Sequence, residues 1–241
     1  MVMGIHPGLW SNSFDLNIET FFNHIAGRSW ALDHCVIQLN NNFLLRGGVV
    51  MMLAWLTLFQ KDAPGQLRKG FELILGTTVL GAFGTVVARV MAHFLPYRVR
   101  PFTLSYLHFP STGWDTPLWG CFPSDHAVLF TSIAVGIFYV SRRTGLLALG
   151  WVLISICLPR LYLGQHWPTD ILVGIAMGIG SAALIKVPAI REFFRINVLR
   201  WHREHPQTFF TALFLWSLCI ATIFEDVRHV LGLAVNLVKH T

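Results

Sequence analysis

The sequence is short of charge. Aspartate, glutamate, lysine and arginine supply 12% of its 241 residues, against roughly 25% in an average soluble domain. That shortage excludes a disordered chain and argues against an ordinary water-soluble enzyme. Cysteine is scarce too: Cys35, Cys121, Cys157 and Cys219 are too few to form a disulfide framework in a chain of this length. Two of them, Cys157 and Cys219, lie in apolar runs and read as small core residues. A long Pro/Gly/Ser linker, an internal repeat and a low-complexity tract are all missing, so residues 1–241 read as one domain. The first forty residues lack the basic start and compact apolar core of a cleavable signal peptide, so this segment is expected to stay on the chain. Acidic residues are the rarer sign, 12 against 18 Lys plus Arg, for a formal charge of +6. A basic balance suits nucleic acid when it clusters on one soluble face. Here the basic residues fall mostly in short segments between apolar runs, as in bilayer-spanning proteins. A membrane, not a nucleic acid, is therefore the expected partner.

What the sequence has in abundance is apolar length. A hydrocarbon core takes about 20 residues of helix, and six runs of that order lie near 43–60, 71–95, 124–141, 146–163, 169–187 and 208–225. Arg46, near the start of the first run, reads as a snorkelling anchor. Gly174 and Gly178, four apart in the fifth, allow close helix packing. Within residues 1–42, Phe14, Ile18, Phe21 and Ile25 recur at helical spacing, as do Leu32, Val36 and Leu39, among polar neighbours such as Asn17, Asn23 and Asp33. This pattern suits helices in the membrane interface or a short soluble cap on the bundle. The expected fold is all-α: an integral membrane bundle of six transmembrane helices with an N-terminal interfacial helical region. Ten Lys and Arg fall on one side of the six runs, at 61, 68, 69, 142, 143, 186, 191, 195, 200 and 203, and six on the other, at 28, 98, 100, 160, 228 and 239. The ten-residue side is expected to be cytoplasmic.

The opposite side holds residues suited to phosphate. The second run ends His93, Pro96, Tyr97, Arg98, Val99, Arg100, Pro101. The third begins Pro123, Ser124, Asp125, His126, and the fourth-to-fifth junction carries Pro159, Arg160, Gln165, His166, Trp167, Pro168, Thr169 and Asp170. Ionisable groups at span ends are costly unless paired or functional. Arg100 and Arg160 are permanently charged planar donors. Ser124 and the free N–H groups of the turn it opens make an anion site, and His126 is placed to exchange a proton with a leaving group. His166 and Asp170 are four apart, so the carboxylate can hold one ring nitrogen and leave the other nucleophilic. A single Arg or His has a plainer reading. Arg89, Arg142 and Arg143 read as head-group anchors, His24, His34, His108, His202 and His205 as structural, and Trp114, Trp119, Trp167 and Trp201 as interfacial aromatics.

In these segments the chain resembles the type 2 phosphatidic acid phosphatase family, whose signatures are Lys-x6-Arg-Pro, Pro-Ser-Gly-His and Ser-Arg-x5-His-x3-Asp. The second and third stand here as Pro123-Ser124-Asp125-His126 and Pro159-Arg160-x5-His166-x3-Asp170; the first keeps Arg100-Pro101 but has His93 at its Lys position. The resemblance covers about 71–187, the motif-bearing core. It implies that Arg100, Ser124 and Arg160 bind phosphate, that His166 forms a phosphohistidine, that Asp170 orients it and that His126 protonates the leaving oxygen. Either Arg98 or a protonated His93 would replace the first-signature Lys. Asp125 resembles the Pro-Ser-Asp-His form of bacterial undecaprenyl diphosphate phosphatases. The implied activity is a membrane lipid phosphate phosphatase without metal or cofactor, in a bacterial cytoplasmic membrane with its site facing the periplasm or exterior. The first substrate expected is undecaprenyl diphosphate, ahead of phosphatidylglycerol phosphate, phosphatidate and lipid A phosphates. A lipid phosphotransferase would use the same residues. Two other classes compete: a metal-dependent hydrolase with His93, His126, His166 and Asp170 as ligands, and a non-catalytic lipid-binding protein.

Overall fold

A computed structural model describes residues 12–60, 69–112 and 120–225. Helices are α1 (Ser13–Ile25), α2 (Trp30–Asn41), α3 (Leu44–Leu58), α4 (Phe71–Phe94), α5 (Asp125–Val140), α6 (Arg142–Tyr162), α7 (Pro168–Lys186), α8 (Pro188–Glu204) and α9 (Pro206–Ala221). No strand occurs among the described residues. Trp114, Trp119 and four of the counted basic residues, Lys61, Arg68, Arg228 and Lys239, lie outside them.

The chain is a multi-pass membrane protein with an all-α fold. Helices α4, α6 and α7 are long and apolar enough to cross a bilayer, and α2 with α3, bent by 70° between them, makes a fourth if the pair is one span. Helices α5 and α9 are apolar but only 16 residues each, about 24 Å at 1.5 Å per residue. An apolar helix therefore stands at each of the six runs, while among the described residues three to four are long enough by themselves to cross a bilayer. Lipid contact accounts for outward side chains such as Phe83, Leu147 and Phe214, each more than 60% exposed, a surface that water would penalise.

Helix α5 is the axis of the bundle. It packs against α3, α4, α6 and α7, and every residue from His126 to Ile137 is buried, the signature of a helix enclosed on all sides. Its contact with α7 depends on glycine. A Cβ at Gly174 would lie 2.6 Å from the Ser124 carbonyl oxygen, and one at Gly178 would lie 2.6 Å from that of Val128. At the far end from Ser124 and His166, α8 buries none of its residues and its Arg191 pairs with Glu72 at the start of α4.

Two anchoring roles fail here. Arg46 does not snorkel: it is 3% exposed, and its Nη1 donates to the Asn40 carbonyl at 2.8 Å. Trp167 is buried, with its indole N–H on the Val99 carbonyl at 2.8 Å. On α1 the polar face, not the apolar one, meets the bundle. Phe14 and Phe21 face outward, while Asp15 and Glu19 are fully buried where α1 packs on α7 and the last turn of α6.

Gly174→Ala should lower the apparent Tm in detergent by several degrees, because overlap in a packed contact costs about 1–3 kcal/mol. Gly180→Ala, where a Cβ meets nothing within 4 Å, should leave Tm unchanged or raise it, since Ala is the better helix former by about 1 kcal/mol. Equal effects of the two in thermal unfolding would refute the close-packing role.

Candidate active site

Three segments converge at one end of the bundle because their backbones are bonded to one another. The stretch after α4 meets the α6–α7 junction through the Phe102 N–H, which donates to the Gly164 carbonyl at 3.0 Å. Cys121 N–H donates to the Arg98 carbonyl at 3.2 Å, and Ser124 N–H to the Asp170 carbonyl at 3.1 Å. Gly164 makes the junction possible. Its φ of +62° belongs to the left-handed region, and a Cβ there would lie 2.7 Å from the Phe109 ring. In α6, Pro159 has no N–H to give to the preceding turn, and residues Leu153–Cys157 form a π-helical turn before it. Arg160 follows directly after this proline.

These segments enclose a cavity of about 170 Å³ whose polar lining includes Arg89, Arg100, Arg160, Asp125, His126, Gln165, His166 and, after α9, Glu225. Arg100 is 4% and Arg160 1% exposed, and each is oriented by one carbonyl: Arg100 Nη1 donates to Gln165 O at 2.7 Å and Arg160 Nη1 to Ile156 O at 2.8 Å. Among the described residues Arg100 Nε, Gln165 Nε2, His126 Nε2 and the buried Ser124 Oγ have no hydrogen-bond partner. Buried donors left in this way are rare in folded proteins. Two guanidinium groups beside them make a cavity suited to a multiply charged oxyanion.

Each histidine stands on a carboxylate. Asp125, in the first turn of α5, accepts from the His126 N–H and ring Nδ1, both at 2.7 Å, and from Arg89 Nε at 2.9 Å. Arg89 is therefore no head-group anchor; it completes an Arg89–Asp125–His126 chain. His166 Nδ1 lies 3.5 Å from Asp170 Oδ2, an ion-pair distance that can tighten when substrate binds. That oxygen also accepts the Trp167 N–H at 2.9 Å. Burial, with Arg100 and Arg160 nearby, lowers the His166 pKa against the opposing pull of Asp170, which keeps the imidazole neutral and nucleophilic. Cys121 also lines the cavity, but burial and then Asp170 push its thiol well up, so it is a poor nucleophile.

The two candidates for the first-signature cation lie elsewhere. His93 is exposed, its Nδ1 on the Arg89 carbonyl at 3.0 Å, and it does not line the cavity. Arg98 is buried behind the cavity between two carboxylates: Nη2 donates to Asp15 Oδ2 at 2.6 Å and Nη1 to Asp170 Oδ1. Among the described residues no three His, Cys, Asp or Glu side chains are grouped to hold a metal ion, so the four ligands of the metal-hydrolase reading are not assembled. Sequence reasoning missed Asp15, Glu19, Arg89 and Gln165. Only Gln165, between Arg160 and His166 in one signature, carried a signal.

Residues 69–189 match the PAP2 superfamily. The chain is 32% identical over 134 residues to the decaprenylphosphoryl-5-phosphoribose phosphatase of Mycobacterium tuberculosis, covering 55% of this chain and 70% of that one. It is 28% identical over 184 residues to the lipid A 1-diphosphate synthase of Escherichia coli, covering 70% and 73%. It is also 28% identical over 112 residues to the putative undecaprenyl-diphosphatase YbjG of E. coli, covering 45% and 52%.

Two outcomes test this geometry. His93→Ala should change kcat/KM by no more than about threefold. Arg100→Ala or Arg160→Ala should lower it tenfold to a hundredfold or more, the worth of about 1.5–3 kcal/mol for a hydrogen bond to charge; the opposite ranking in steady-state assays would displace the arginines. Glu19 supplies the second. Burial, then Asp170 and Asp15, push its pKa up to about 9, so from its ordinary 4.5 up to that value the folded state holds one extra proton. Stability therefore falls as pH rises through this window, by up to about 1.4 kcal/mol per unit. Glu19→Gln should flatten the decline of apparent Tm between pH 5 and 9, and parallel curves would refute the assignment.

Proposed function

The chain belongs to the PAP2 superfamily, and from that premise we propose that it removes the terminal phosphate of a membrane lipid through a phosphohistidine. The observation that carries the reading is the cavity in which His166, its Nδ1 3.5 Å from Asp170 Oδ2, faces Arg100, Arg160 and the Asp125-bound His126. With Nδ1 directed at Asp170, Nε2 of His166 attacks the terminal phosphorus. The N–P bond forms as the bond to the lipid-borne oxygen breaks, and His126 gives that oxygen a proton. Water then attacks the phosphohistidine, the N–P bond breaks, and His126 takes the proton back. The arginines offset charge on the transferring oxygens throughout, and no step calls for a metal ion.

Undecaprenyl diphosphate is the first substrate proposed, giving undecaprenyl phosphate and inorganic phosphate. Its support is the Pro123-Ser124-Asp125-His126 segment, now seen as an ion-paired unit with Arg89, and the likeness to a protein named for that reaction. The site faces away from the basic α8, which favours the periplasmic or outer face of a bacterial cytoplasmic membrane. A second reading, transfer of the phosphohistidine group to another lipid, is favoured by the likeness to the lipid A 1-diphosphate synthase over most of both chains.

Undecaprenyl diphosphate labelled in its terminal phosphate, given to the protein in EDTA with and without a lipid A acceptor, tests these readings together. Label should appear as inorganic phosphate, or on the acceptor if transfer prevails, and should be trapped on His166 in an acid-labile form. His166→Ala should lose both trapping and turnover while still folding; full turnover in that variant would end the mechanism. Release that stops in EDTA would end the metal-free form of it.

A further inference from the structure

Helix α1 lies outside every signature, yet it delivers a carboxylate to the back of the active site. Asp15 is fully buried and makes three contacts there. Its Oδ1 accepts the Thr169 N–H at 2.9 Å, and its Oδ2 accepts the Thr169 hydroxyl at 2.7 Å and Arg98 Nη2 at 2.6 Å. Thr169 Oγ1 in turn accepts from Arg98 Nη1 at 2.9 Å. The same guanidinium donates to Asp170 Oδ1, whose other oxygen faces His166. One arginine thus divides its charge between a carboxylate from α1 and the carboxylate that holds the histidine. Arg98 is 4% exposed, so solvent screens this division little.

We propose that Asp15 is a positioning residue for the His166–Asp170 pair, acting through Arg98 and Thr169. The proposal rests on the phosphohistidine reading for its catalytic consequence, though not for the coupling itself. With Asp15 ionised, part of the Arg98 charge is answered from α1, and Asp170 keeps enough negative charge to orient His166 and stabilise the positive charge it gains on attack. Remove the Asp15 charge and Arg98 neutralises Asp170 more fully. The imidazole then becomes less basic and its Nδ1–H less firmly held.

Other charges near the pair are accounted for. His166 is faced by Arg160 from α6, by Arg100 from the stretch after α4, and by Asp125 with His126 from α5; Arg89 of α4 and Glu225 after α9 line the same cavity, and the Cys121 thiol lies against Asp170. Behind Asp170 lies Glu19, one turn after Asp15 on α1, buried with both oxygens unpartnered among the described residues. Its pKa near 9 keeps it neutral at pH 7, whereas Asp15 is the α1 carboxylate that pairs with Arg98.

The experiment compares wild type, Asp15→Asn and the exposed-site control Asn17→Ala in detergent, reading two quantities. One is the titration of His166 by NMR of ring-labelled histidine, assigned by its disappearance in His166→Gln; the other is kcat and KM for the lipid diphosphate. In Asp15→Asn the His166 titration should move to lower pH by about half a unit or more, and kcat should fall about tenfold with KM within twofold. Asn17→Ala should match wild type. An unmoved His166 titration overturns the proposal whatever happens to kcat, because loss of rate alone is what a merely structural role produces. A moved titration with intact kcat leaves the coupling standing and overturns its catalytic consequence; the phosphohistidine reading stands or falls separately, by trapping of label on His166. Should Asp15→Asn not fold, Asp15→Ser decides by the same readings, since it removes the same charge from Arg98 and keeps an acceptor for the Thr169 N–H.

Discussion

A carboxylate with no access to water stays charged only if other groups answer its charge, and the fully buried Asp170 sets this condition for the whole active end. Arg98 answers one oxygen and the Trp167 N–H the other. Meeting that demand draws the segment after α4 against the start of α7, and the Asp170 backbone carbonyl fixes Ser124 at the head of α5. Asp15 then balances the side of Arg98 that Asp170 does not use. The cavity is the space left when these pairings are made.

That cavity separates cations by duty. Arg100 and Arg160 are each held by one carbonyl and line the cavity, whereas Arg98 works behind it and Arg89 is joined to Asp125 at its wall. Arg89 sits one helical turn before His93, on the face of α4 that lines the cavity, while His93 itself is exposed. A cation is thus present near the first-signature position although the sequence at that position offers only an imidazole. The two histidines differ in the same way. His126 has its Nδ1 on Asp125 at hydrogen-bond distance, His166 its Nδ1 at 3.5 Å from Asp170, and the looser pair belongs to the group that gains a bond to phosphorus in the proposed reaction.

The N-terminal region shows how lipid changes the meaning of amphipathicity. In water the apolar face of a helix turns to the core. Here Phe14 and Phe21 can face lipid, and Asp15 and Glu19 go inward to the cationic end of the bundle. Helix α2 follows the same logic, with Leu32 exposed and Asp33 buried, accepting the Tyr162 hydroxyl at 2.5 Å and the Gly27 N–H at 3.1 Å. Both helices are tied by carboxylates to the α6–α7 end that carries Arg160 and His166.

Apolar length, the punctuation of Pro and Gly, and the spacing of Arg160, His166 and Asp170 are local properties, and they alone determined that the chain is helical, that it enters a membrane, where its apolar helices lie, and which segments carry side chains suited to phosphate. The apolar helices stand within a few residues of the runs read from the sequence, because hydropathy is a demand each segment meets by itself. Partners were decided only in three dimensions. Nothing in the sequence separates Arg98, spent on two carboxylates, from Arg100, which lines the cavity two residues later; the difference is what the fold brings against each, Asp15 and Asp170 for Arg98 and the Gln165 carbonyl for Arg100. Nor does it show that Asp15 lies against Thr169, 154 residues away, or that Arg89 pairs with Asp125 rather than with head groups. Charges in a low-dielectric bundle are assigned by the packing that brings opposite signs within about 3 Å, and packing is a property of the assembled helices.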